Sequence, residues 1–112
     1  MDIELDKFIN SMIDSFEDLF EELISQQQRK VLSLARQRLP HLTGEDILNP
    51  HDFPELVRDP VFNYEEGLAS GIMTTQMAIR ARILRPLQEK LALKSALDHT
   101  LDHNYKGPSH VG

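Results

Sequence analysis

The placement of charge constrains this chain more than any other feature. Residues 2–24 carry Asp2, Glu4, Asp6, Asp14, Glu17, Asp18, Glu21 and Glu22 against Lys7, a local balance of −7. Residues 29–38 carry Arg29, Lys30, Arg36 and Arg38, or +4. Residues 45–66 return to −6, with seven acids against Arg58. Residues 80–94 return to +4 through Arg80, Arg82, Arg85, Lys90 and Lys94 against Glu89. If the chain folds back near its middle, the acidic start of a first helix meets the basic stretch of a second. The basic end of the first then lies near the acids that open the second. Parallel pairing would oppose like charges, so the pattern predicts an antiparallel helical hairpin.

Apolar spacing supports two long helices. Over residues 3–39, Leu5, Ile9, Met12, Phe16, Leu19 and Leu23 recur at steps of three and four, which predicts a heptad seam. Phe8, Ile13, Phe20 and Ile24 flank that seam and widen the stripe. Ile24, Gln28, Val31, Ala35 and Leu39 continue an apolar face one row over. The polar run Ser25-Gln26-Gln27-Gln28 is the expected weak point for a bend. Acids early and bases late suit the helix dipole, and Pro40 ends the helix by pushing its predecessor out of the α region.

Residues 40–62 hold Pro40, Pro50, Pro54 and Pro60 and read as a connector with short helices. Thr43 with Asp46, and Asp52 with Glu55, resemble capping boxes. An unstructured connector of about 20 residues is unusual in a compact domain. It is therefore expected to pack through Ile47, Leu48, Phe53, Leu56 and Val57. The second long helix starts at Asp59-Pro60 or Asn63, both suitable caps. Leu68, Ile72, Ile79, Ile83, Leu87 and Leu91 form its expected stripe, with Pro86 predicted to kink or split it near Leu84–Arg85. Helical periodicity fades near residue 102. One domain over residues 1–103 and a disordered tail over 104–112 are expected. No stretch alternates with period two, so the fold class is all-α.

Two helices share one seam, which leaves much of a wide stripe in water. Phe8, Phe16 and Phe20 would be partly exposed, as would parts of Met12, Ile13 and Met73. Exposed apolar area on that scale marks an association surface. The expected closure is a homodimer, completing a four-helix bundle, in preference to a monomer kinked at Gln26–Gln28 and Pro86 into a compact three- or four-helix bundle.

The sequence holds no cysteine, which excludes disulfides, thiolate nucleophiles and cysteine-based zinc sites. An acidic opening unlike a signal peptide, with no apolar run of membrane-spanning length, points to a cytoplasmic protein that makes no membrane contact. A net charge of −6 and a pI near 5.2 argue against nucleic acid as partner, despite the basic stretch at 80–94.

Among candidate sites, Gly67 and Gly71 lie four apart on one predicted helix face. Each costs about 0.8–1 kcal/mol relative to alanine, a cost usually offset by close packing. That packing falls either on the protein's own connector or first helix, or on a partner helix with Phe62 and Tyr64 at the mouth of the groove. Leu97-Asp98-His99-Thr100-Leu101-Asp102-His103 is a short tandem repeat whose histidines fall at i and i+4. It lacks a third metal ligand and reads as a solvated helix end. Glu17, Asp18, Glu21 and Glu22 resemble the acid-rich helices of magnesium enzymes, with Glu65 and Glu66 as the second set. They also flank an apolar stripe, as a solvated face would. No catalytic residue, metal ligand or cofactor is assigned.

The reading that follows is a non-enzymatic protein–protein interaction module: an adaptor, small chaperone or inhibitor. It would present an apolar helical groove to an amphipathic partner helix, through Phe16, Phe20, Phe53, Phe62, Tyr64, Gly67 and Gly71. The alternative is a metal-dependent all-α hydrolase using carboxylates from two helices.

Overall fold

The computed structural model describes residues 3–109, with side chains to Thr100. His103 and the tail expected over 104–112 thus fall outside the described side chains. Helix α1 spans Ile3–Arg38, and the connector holds two 3₁₀ turns at Asp46–Leu48 and Pro50–Asp52 and a short helix α2 at Pro54–Val57. Helix α3 spans Pro60–Ile79, a π turn covers Arg80–Leu84, and α4 spans Arg85–Ser109. Among the described residues there is no strand, so the fold is all-α. No described helix is long and apolar enough to cross a membrane.

The chain divides into two compact units: Asp14–Met77, and Met1–Ile13 together with Ala78–Gly112. The larger unit holds a core of Val31, Ala35, Leu42, Leu56, Phe62 and Ala69, with Leu39, Ile47 and Phe53 packed against it. Within it α1 and α3 run antiparallel. Gln27 and Lys30 reach Glu65, while Arg38, further along α1, reaches back to Asp59. Lys30 and Arg38 near the end of α1 thus meet Glu65 and Asp59 near the start of α3.

Local signals account for most boundaries. Asp59 caps α3, its carboxylate accepting from the amides of Val61 at 3.0 Å and Phe62 at 3.3 Å, and Pro60 fills the first helical position. Asn63, the other possible start, instead donates to the Val57 carbonyl at 2.8 Å. Thr43 and Asp46 form the expected reciprocal box at 3.0 and 3.3 Å. Asp52 does not cap α2; Phe53 holds that position with no side-chain bond. In the connector, Leu56 is buried while Leu48 and Val57 are exposed, so the short helices anchor on one row only.

Two expectations about the long helices are corrected. Residues 25–28 carry no break, and α1 is continuous for 36 residues, about 54 Å. Its expected seam is also displaced by one position. Leu5, Met12, Phe16, Leu19 and Leu23 are all exposed, whereas Ile13 is 2% exposed and Phe20, Ile24 and Gln27 are half-buried. The buried row is the one reached by stepping back in sevens from Val31 and Gln27, through Ile24, Phe20 and Ile13. Within the larger unit Val31 and Ala35 pack into the core, and Phe20, Ile24 and Gln27 continue the same row.

The smaller unit has less to bury. Ile13 and Leu84 are its buried apolar side chains among those described. Asp6 and Lys94 form an ion pair at 2.9 Å. The π turn ends as the Arg85 amide bonds back to the Arg80 carbonyl, five residues away, immediately before Pro86. Proline has no amide to donate and its ring crowds the carbonyl four residues back, so a widened turn accommodates it. The extra residue advances the buried row by one. Leu84 is 3% exposed and Ile83 57% exposed, reversing the expected stripe at that point.

Candidate interaction face

Each buried row has an apolar neighbour row in water. On α1, Phe8, Met12, Phe16, Leu19 and Leu23 stand one position before Ile9, Ile13, Glu17, Phe20 and Ile24. Every member of that outer row is 39–62% exposed. On α3, Val61, Tyr64, Leu68, Gly71 and Thr75 stand one position before Phe62, Glu65, Ala69, Ile72 and Gln76, and all are exposed. Within the larger unit these helices run antiparallel, so the same offset puts Phe16, Leu19 and Leu23 and the α3 row on one side of the seam. The larger unit shows this directly. A shallow groove of about 350 Å³ is lined by Phe20 and Leu23 of α1 and by Leu68, Gly71, Ile72 and Thr75 of α3.

The glycines leave this face open. A Cβ built on Gly67 or Gly71 meets nothing within 4 Å. The expected packing of the glycines against the chain's own connector or first helix is therefore absent.

The seven residues singled out in the sequence thus separate. Phe20 and Gly71 line one groove, Phe16 lies one turn along α1, and Tyr64 (68% exposed) shares the row of Leu68 and Gly71. Gly67 is exposed on α3 away from the groove lining. Phe62, at 1% exposed, is corrected from groove mouth to core, because the Asp59 cap turns its ring inward among Val31, Ala35 and Leu56. Phe53 is half-buried against the same core and presents little surface.

A second cavity of about 490 Å³ lies across the seam, between α1, the connector and α3. Its apolar floor is Val31, Leu32, Ile47 and Ala69, rimmed by Arg29, Glu66 and Met73.

Two acids form the polar framework of the larger unit: Asp59, expected as a helix cap, and Glu65, expected only as a member of an acidic cluster. Glu65 accepts from Gln27 Nε2 at 2.6 Å and from Lys30 Nζ at 2.9 Å, and Gln27 also donates to the Glu65 carbonyl at 3.0 Å. The Gln27 bond first, then Lys30, holds the Glu65 carboxyl below its ordinary 4.5 in spite of burial. The Phe62 amide, with further help from Val61 and Arg38, likewise holds Asp59 below 3.8. Glu65 is thereby engaged in the helix pair, and Glu66 accepts from Ser70 at 3.2 Å. Among the described residues, no group of three or more His, Asp or Glu could hold a metal ion. The signal that would have identified Glu65 was the polar residue Gln27 standing in a buried row.

No protein-family model, curated protein or solved structure matches this chain.

Proposed function

We propose that this chain is a non-enzymatic protein–protein interaction module, an antiparallel helical hairpin whose outer apolar face receives amphipathic helices and completes a four-helix bundle by dimerisation. The observation that carries this reading is the outer row itself. Five large apolar side chains, Phe8 to Leu23, recur at steps of four, four, three and four on one helix and are all exposed. Single exposed apolar residues are ordinary, whereas an unbroken row bordering a groove is the form taken by helix-in-groove recognition. The glycines at 67 and 71 add to it, because they destabilise α3 without packing against anything in the chain.

Replacing Phe16 and Leu19 together by glutamine tests the reading. The expected result is a variant that stays helical and unfolds cooperatively, with reduced solution mass and reduced binding of an apolar-surface dye. Loss of the fold comparable to that from a core substitution would place the row inside the protein and refute the proposal.

A further inference from the structure

We infer that the groove between α1 and α3 takes a basic amphipathic helix of another protein, whose lysines or arginines run along the α1 side. This inference rests on the interaction reading above and specifies the chemistry of its partner.

Charge around the groove has one sign. Residues 14–28 carry Asp14, Glu17, Asp18, Glu21 and Glu22 with no lysine or arginine. Residues 59–79 carry Asp59, Glu65 and Glu66, again with none. Asp59 and Glu65 are already paired, with Arg38 and Lys30. Asp18 and Glu22 are exposed, stand one turn apart, and flank Leu19 and Leu23 on α1. The Glu22 carboxylate accepts from Gln26 Nε2 at 3.3 Å, which holds it along the outer row just beyond Leu23. Further along that row the first base is Lys30, and its ammonium is held by Glu65 at 2.9 Å. The α3 side differs. There Tyr64, Gly67 and Thr74 are exposed beside the groove, and none is charged.

These two walls select among helices. An apolar stripe laid on Phe20, Leu23, Leu68 and Ile72 brings its α1-side flank against Asp18 and Glu22. Acids on that flank are repelled, uncharged residues gain nothing from the two carboxylates, and lysine or arginine pairs with them. On the α3 side, Gly71 lets a partner backbone approach closely, so small uncharged residues fit there. A second copy presenting the same face matches the apolar rows but sets Asp18 and Glu22 against the same acids. Self-association is therefore the weaker use of the groove, and a basic helix competes with it.

Three synthetic helices test this on the full chain. They share one leucine stripe and carry lysine, glutamine or glutamate along one flank. Fluorescence anisotropy at low salt should show the lysine helix binding at least about tenfold more tightly than the glutamine helix, with the glutamate helix weakest. Added salt should narrow these gaps. Asp18→Asn with Glu22→Gln should remove most of the lysine preference and leave the affinity for the glutamine helix unchanged. Glu45→Gln with Glu55→Gln makes an equal change of charge at exposed connector positions outside the groove lining, and should keep the preference. Circular dichroism checks that each variant is still helical. Should the first unfold, Glu22→Gln alone keeps an acceptor for Gln26 and should remove part of the preference.

Lysine and glutamine helices that bind alike, or a preference that falls equally in both double variants, would overturn the basic partner. If the glutamine helix still binds, and Phe16→Gln with Leu19→Gln abolishes that binding, the interaction reading survives. If no helix binds but the solution mass falls with Phe16→Gln and Leu19→Gln, the occupant is a second copy and only this inference fails. If no helix binds and that mass is unchanged, the interaction reading fails with it.

Discussion

The two units of this chain are built from the same long helices and differ in what covers them. In the unit Asp14–Met77, the connector adds a third element through Leu42 and Leu56, and a core of six buried side chains forms. In the unit that joins residues 1–13 to 78–112, two helices have only each other, and among described side chains only Ile13 and Leu84 are buried and apolar. The helix pairs carry comparable apolar content. Burial therefore follows from the number of neighbours a helix meets, as expected where one seam covers only part of a wide stripe. The polar framework differs in the same way. Glu65 and Asp59 are nearly buried and multiply bonded, whereas Asp6 and Lys94 form one half-exposed ion pair.

The largest expected effect contrasts a core position with the outer row. Phe62→Ala removes a ring from the closed core and should cost about 3–5 kcal/mol of unfolding free energy, enough to unfold a marginal domain. Phe16→Ala removes a ring that is 44% exposed and should cost the isolated chain much less, about 1 kcal/mol or less. Urea unfolding at low protein concentration separates the two. Equal losses would show that the outer row is already covered in the single chain.

The sequence made the helices legible and left their rotation hidden, for a physical reason. Charge blocks and caps announced α1, the connector and the Asp59-Pro60 start, because those are local effects of backbone and side-chain chemistry. Which row of α1 is buried depends on its tertiary neighbours; in the larger unit Val31 and Ala35 pack with Leu42 and Leu56 of the connector. The true row contains Asp6, Glu17 and Gln27, so apolar counting favoured its all-apolar neighbour. Gln27 turns inward, half-buried, where Glu65 meets it, a partner 38 residues away. The π turn at Arg80–Leu84 hid the second rotation. Pro86 marked the place, but a one-residue advance of the buried row cannot be counted from spacing alone. Of the seven candidate residues, Phe20 and Gly71 fell into one groove with Phe16 and Tyr64 nearby. Phe62 and Phe53 were drawn inward by the same core that decided the rotation.

Acid should narrow the contrast between the units. Asp59 and Glu65 both have folded pKa values below their ordinary 3.8 and 4.5. A depressed folded pKa contributes stability that is fully present above the unfolded value and disappears as pH falls through the folded one. Both groups therefore support the larger unit at neutral pH and withdraw that support below about pH 4. Thermal unfolding followed from about pH 6 to about pH 2 should show wild type losing stability across that range. Asp59→Asn with Glu65→Gln should start lower and fall less steeply, since two carboxylates that bind protons on unfolding are gone. A variant whose decline parallels that of wild type would show that these acids do not link folding to pH.

The smallest expected effect carries the most information about the exposed face. Gly67→Ala and Gly71→Ala each place a Cβ in open space on an exposed helix, where the added methyl meets nothing within 4 Å. Restricting the unfolded backbone should raise the stability of the isolated chain by about 0.8–1 kcal/mol at each position. In a single chain with no partner, that gain would be the whole effect. Gly71 also lines the groove between α1 and α3, where a second helix seated on the outer rows would approach α3 closely. A methyl there holds the partner off. Gly71→Ala should then raise stability at low concentration and weaken association at high concentration, two changes of opposite sign from one atom. Gly67→Ala, outside the groove lining, should produce the first change with little of the second. A Gly71→Ala chain that associates as tightly as wild type would show that no close helix approach occurs at this face.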